Sequence, residues 1–92
     1  MTEPERQLTV PDYEPGGALR FAWAEGFRIE VDASDGEVVI RANSAGLVSL
    51  AQHCLTLAQA AVPAGSHLHL TDSVELEPGS GDLIIERASE QD

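Results

Sequence analysis

The sequence predicts an α+β fold: a two-layer sandwich with one long helix packed on a mostly antiparallel sheet, in the order β-hairpin, helix, two or more strands. Three patterns predict it. Ser44 to Ala61 repeats apolar residues at three and four positions. Phe27 to Ala42 alternates with period two around Asp35-Gly36. Two further short apolar runs, Ser66 to Thr71 and Asp82 to Arg87, follow the helix. A striped helix and half-apolar strands bury their apolar sides against one another in two layers.

In the helical stretch, Leu47, Leu50, Ala51, Cys54, Leu57, Ala58 and Ala61 form one apolar stripe, expected to lie on the sheet, while Ser49, Gln52, Thr56 and Gln59 point away from it. Asn43 or Ser44 is placed to accept a hydrogen bond from the first-turn N–H groups. Val62-Pro63 stops the helix, since Pro63 has no N–H and restricts its predecessor, and Gly65 lets the chain reverse. That gives roughly 18 residues, or about 27 Å. Leu50 and Leu57 are expected to be among the costliest truncations, at about 2–5 kcal/mol each, and Cys54 to be a small core hydrophobe.

The strands follow from alternation. Phe27, Ile29 and Val31 take one face and Arg28, Glu30 and Asp32 the other; after the turn, Val38 and Ile40 are apolar, Glu37 and Arg41 polar. Asp-Gly tolerates the two positive φ values of a type I′ turn, which fixes the hairpin. Beyond the helix, Leu68 and Leu70 oppose His67 and His69, and Val74 and Leu76 alternate weakly before the Pro78–Gly81 turn. Leu83, Ile84 and Ile85 are consecutive, which predicts an interior strand covered on both faces. If the strands before and after the helix lie parallel in one sheet, the crossover between them is right-handed. At the front, Ala18 to Ala24 reads as a short strand with Phe21 and Trp23 on one side, and Glu25-Gly26 as a turn. Residues 1–17, with three prolines and Gly16-Gly17, read as a flexible acidic arm whose Leu8 to Tyr13 stretch is available to pin against the sheet. Residues 18–88 then form a single domain and 89–92 a polar tail.

Sixteen carboxylates against five basic residues, every one of them Arg, leave a net charge of −11 on 92 residues. Such a chain has no basic stripe for phosphates, so direct nucleic-acid binding and insertion into anionic membranes are disfavoured. The charge suits a basic protein partner. One cysteine excludes an internal disulfide, and the polar N-terminus MTEPERQLTV has no signal-peptide character, so a cytoplasmic protein is expected.

His67 and His69, two apart on one strand, share a face and form the most metal-like pair, but no third ligand is evident. Cys54 and His53 are adjacent and diverge by about 100° on a helix, which rules out a nucleophile–base pair. The glycine clusters lack the context of a phosphate loop. No catalytic residue and no cofactor are therefore expected. Partner contacts are expected from Glu30, Asp32, Glu37, Asp72, Glu75 and Glu77, the last three on an exposed connection. An interface is expected to draw on Trp23, Val39, His67, His69 and Ile84 across the sheet face opposite the helix. Two other readings remain: a small metal- or ligand-binding module using His67 and His69, and a homodimeric structural or regulatory partner protein.

The run Asn43-Ser44-Ala45-Gly46-Leu47, the segment Leu50-Ala51-Gln52-His53 with Leu57-Ala58-Gln59, then Pro63-Ala64-Gly65-Ser66-His67-Leu68-His69-Leu70, and finally Leu76-Glu77-Pro78-Gly79-Ser80 before Asp82-Leu83-Ile84-Ile85-Glu86 resemble immunity protein family 32 of bacterial polymorphic toxin systems, a family common in actinobacteria. The resemblance covers Asn43 to Arg87. It implies a small, non-catalytic cytoplasmic protein that binds and neutralises a cognate toxin, often a nuclease in such systems.

Overall fold

The computed structural model describes residues 6–90. Its elements are β1 (Ile29–Asp32), β2 (Val39–Ala42), α1 (Ser44–Leu57), β3 (His67–Leu70) and β4 (Leu83–Glu86), an α+β arrangement as predicted. Of the expected arm and tail, residues 1–5 and 91–92 lie outside the described residues.

β1 and β2 form the expected hairpin, with Ile29 opposite Ala42 and Asp32 opposite Val39. Carried two pairs further, that register ends at the Asp35-Gly36 turn. Both residues have positive φ, 61° and 77°, and Glu37 N–H donates to the Ser34 carbonyl across them. This is the left-handed geometry that the sequence pattern called for. Asp32 steadies the turn by accepting from the Ser34 N–H and hydroxyl.

The single sheet expected from the alternation divides into two antiparallel pairs, β1–β2 and β3–β4, and β2 and β3 are not neighbours, so no parallel crossover exists among the described residues. The reason lies at the other edge of β1. The stretch from Glu77 to Gly81 runs along it: Glu77 N–H donates to the Ile29 carbonyl, Gly81 N–H to the Val31 carbonyl, and the buried Ser80 hydroxyl accepts from Val31 N–H. A loop thus satisfies an edge that would otherwise be open to pairing. β4 consequently pairs only with β3 and is not the interior strand expected; Ile84, opposite His69, is 55% exposed. Ile29, Val31, Leu70 and Leu76 form the buried core where the two pairs meet, with Trp23, Phe27, Leu50, Leu68 and Leu83 packed around them.

The helix starts where predicted. Asn43 Oδ1 accepts from the Gly46 N–H as N-cap and also from the Arg28 N–H, and its Nδ2 donates to the Gly26 carbonyl, so one side chain joins the helix to β1. Gly46 sits tight against that junction: a Cβ there would lie 2.5 Å from the Arg28 carbonyl oxygen. The end comes earlier than Val62-Pro63. Arg87 Nη1 donates to the carbonyls of Leu57 and Gln59, and Gln59 Nε2 to that of Thr56, so cationic and amide donors satisfy the last-turn carbonyls and close the helix at Leu57.

The direction the helix faces overturns the expectation. Its buried residues are Gly46, Ser49, Gln52, His53, Thr56 and Leu57. Of the expected apolar stripe, Leu57 is buried and Leu50 half-buried, but Leu47, Ala51, Cys54, Ala58 and Ala61 are exposed. Cys54 is therefore a surface thiol, not a core hydrophobe. What lies on the polar side is the N-terminal segment, not the sheet.

Candidate functional site

That contact is built from side-chain amides and hydroxyls meeting a backbone without regular secondary structure. Gln52 Oε1 accepts from Thr9 N–H at 2.8 Å and its Nε2 donates to the Ala22 carbonyl. Seven residues on, Gln59 Oε1 accepts from Tyr13 N–H at 3.0 Å and its Nε2 donates to the Pro11 carbonyl. Ser49 Oγ accepts from Ala24 N–H and donates to the Ala45 carbonyl. A primary amide carries one acceptor and one donor group side by side, so each glutamine serves the backbone much as a neighbouring strand would. The stretch 18–24, expected to be a short strand, forms no strand; α1 bonds its backbone at Ala22 and Ala24 instead. Leu8 to Tyr13 likewise lies on the helix and not on the sheet.

His53 sits at the middle of this contact, fully buried, with the Trp23 ring 4.2 Å away and Phe21 at 5.6 Å, both edge-on. Neither ring nitrogen has a hydrogen-bond partner among the described residues; the Ala22 backbone is the polar group that weakly favours its charge, without reaching bonding geometry. Burial dominates and holds the imidazole's pKa below its usual 6.5, which favours the neutral ring at neutral pH. Trp23 also stacks at 4.4 Å on Phe27, which makes it part of the core and removes it from any outer sheet face.

The six carboxylates expected to meet a partner are spread out. Glu30 Oε1 is 3.3 Å from Arg41 Nη1, across the hairpin. Asp32 is occupied by its own turn, and the Ser34 hydroxyl and N–H hold its carboxyl below the ordinary carboxylate range. Asp72 accepts from the Ser73 hydroxyl and the Gly79 N–H, and Glu75 from the Thr71 N–H, so both help to shape the connection on which they lie. Glu37 and Glu77 are exposed and, among the described residues, make no side-chain hydrogen bond or ion pair. Glu30, Asp32 and Glu37 share the outer face of the β1–β2 hairpin with the half-buried Val39. His67, His69 and Ile84 belong to the other pair of strands.

His67 Nδ1 lies 3.1 Å from the Gly65 carbonyl and His69 Nε2 3.1 Å from Asp82 Oδ2. Both partners only accept, so those nitrogens carry the protons. Among the described residues no group of three or more His, Cys, Asp and Glu side chains is placed to hold a metal, and no helix is long and apolar enough to cross a membrane.

The feature that hydropathy alone did not reveal is the outer side of α1. Leu47 and Leu55 are 55% and 45% exposed and line up with Ala51, Cys54 and Ala58. At its amino end this strip meets a shallow depression where Ile40 and Leu47 lie among Arg28, Glu30, Arg41 and Glu77; at its carboxyl end another depression joins Cys54, Ala58, Ile85 and Glu86. The signal that could have found it is the polar side's chemistry. Ser, Gln, Thr and His without one formal charge make a side suited to burial with partners, whereas a solvated helix face in an acidic chain carries carboxylates.

A family model described as Immunity protein 32 matches residues 37–88, which takes in β2, α1, β3 and β4 and leaves β1 and the N-terminal segment outside. No curated protein and no solved structure matches the chain.

Proposed function

The chain belongs to the immunity protein 32 family, and from that premise we propose that it is a non-catalytic inhibitor that binds and sequesters a cognate bacterial toxin in the cytoplasm of the cell that makes both. The family match over more than half of the chain carries this reading. The charge supports it and narrows the partner: a surface at −11 favours a basic protein, and a toxin that cleaves nucleic acid needs a basic groove for its substrate. Steering of this kind raises the association rate and is screened by salt over about 8–10 Å at 0.1–0.15 M.

Co-expression with the product of the adjacent gene tests the reading. The expected result is a growth defect from that product alone, rescue by this protein, co-purification of the two, and an association rate that falls on the order of tenfold from low to physiological salt. A neighbour without toxicity, or a toxic one that this protein neither rescues nor binds, overturns it.

A further inference from the structure

From Ala42 to Thr71, thirty consecutive residues, the chain has no Asp, Glu, Lys or Arg, although the remaining residues hold sixteen carboxylates and five arginines. α1 lies wholly within this charge-free stretch, and its exposed side is the apolar strip of Leu47, Ala51, Cys54, Leu55 and Ala58. We infer that this outer side of α1 is the surface on which a basic partner docks, its apolar element seated along the strip and its cationic groups against Glu77 and Glu86 at the two ends. The inference rests on the reading of the protein as a toxin-binding inhibitor and adds where the toxin binds.

Three observations choose this occupant. The described N-terminal segment is committed to the opposite side of the helix through Gln52 and Gln59, so it does not cover the strip. A second copy is disfavoured by charge. In an antiparallel two-fold pairing of helices, Glu77 of one copy approaches Glu86 of the other, and in a parallel one like meets like at each end, with −11 on each molecule behind them. A basic partner reverses the sign of both terms. The cations at the strip's ends do not cancel this: Arg41 is paired with Glu30, and Arg87 is turned onto the helix carbonyls and Glu90, which leaves Arg28 to offset Glu77 in part. An apolar centre without charge and a polar, charged rim are the usual anatomy of a protein–protein contact.

The test uses the toxic neighbour-gene product that this protein neutralises. Ala51→Arg and Leu55→Arg place bulk and positive charge on the strip; Val74→Arg and Ile84→Arg do the same at apolar positions that are 73% and 55% exposed elsewhere. Thermal melts establish that each variant is folded. The two strip variants should weaken binding at least 100-fold and abolish rescue, and the two control variants should change it less than threefold. Cys54 supplies a readout without mutation: in the unaltered protein it should react with a maleimide as a free exposed thiol, and the complex should slow that reaction at least tenfold. Strip variants that bind like the parent, with Cys54 equally reactive in the complex, overturn the docking surface while leaving the inhibitor role in place. Failure of the unaltered protein to rescue overturns the role itself and the surface with it. Sedimentation of the free protein as a dimer that Ala51→Arg makes monomeric assigns the strip to a second copy and overturns the inference.

Discussion

On their inner side α1 and the residues just after it meet the N-terminal segment through Ser49, Gln52, His53 and Gln59, with Gly46 and Leu50 against the hairpin and core; on the outer side Leu47, Ala51, Cys54, Leu55 and Ala58 meet solvent. The inner contact is held by hydrogen bonds to backbone groups at named positions, each worth about 0.5–1.5 kcal/mol net but more when broken one-sidedly. The outer side holds apolar surface that contributes nothing to the isolated fold and that is worth about 25 cal/mol per Å² to whatever buries it. Direction and register come from the first; area is left over in the second. Polar uncharged side chains are a sound way to fix a strandless segment, because amide bonds specify which backbone atoms meet, and apolar packing does not.

The largest loss is expected at Gly46, on the inner side where the helix leaves the hairpin. Gly46→Ala sets a Cβ against the Arg28 carbonyl oxygen, a backbone atom with little room to move, and should cost about 3 kcal/mol in chemical denaturation. A loss below about 0.5 kcal/mol would mean that the helix approaches the hairpin less closely than described. Next is Gln52→Ala, which leaves Thr9 N–H and the Ala22 carbonyl without their partner and should cost about 2 kcal/mol. Hydrogen exchange adds a local readout, since the Thr9 amide should lose its protection while those of β1 keep theirs.

Acid sharpens the inner side further. Burial lowers the His53 pKa in the folded state below 6.5, so above that pH both states are neutral and the ring carries no penalty. As pH falls below 6.5 the unfolded chain takes up a proton that the folded one refuses, and stability declines, by at most about 1.4 kcal/mol per pH unit, until the folded pKa is reached. His53→Leu should flatten the stability profile in that window. Asp32 acts lower down: its carboxyl is held below 3.8 in the folded state, so what it contributes is present above 3.8 and is lost as pH falls through its folded pKa. The smallest effect is expected outside. Leu47→Gln and Leu55→Gln should each move stability by no more than about 0.5 kcal/mol, because both side chains stand largely in solvent. A loss of 2 kcal/mol or more at either position would put the strip inside the fold and end the contrast.

How much of this was legible in the sequence divides along the same line. The β1–β2 register was, because Asp35-Gly36 admits the two positive φ values and alternation then fixes every pair behind it. The helix start was, because Asn43 stands where a cap is needed. Helix orientation was not. Hydropathy periodicity finds two sides but says only which is apolar, and it assigns water to the other; here the other is claimed by the backbone of residues 9–24, a segment with no pattern of its own. The split of the sheet was hidden for a related reason. The strip of β1 edge covered by Glu77–Gly81 depends on a serine hydroxyl and two loop amides, and no alternation announces them. What the pattern of the loop did not announce is that Asp72 and Glu75 also hold its shape: a loop rich in Ser, Thr and Gly offers N–H and hydroxyl donors that a nearby carboxylate takes up.

The glutamine contacts also fix an order of events during synthesis. Thr9 and Tyr13 are made 43 and 46 residues before the side chains that hold them. At about 5–20 residues per second the N-terminal segment therefore waits a few seconds with no partner while the hairpin, whose contacts are local, is already complete. Its docking closes the longest loops near that end of the molecule and must come after Gln59 has left the ribosome. Any protein that captures the segment in that interval competes with α1 for the same backbone atoms, and a chain released with the segment captured would expose His53 and its two aromatic neighbours on the side of the helix that the finished fold keeps dry.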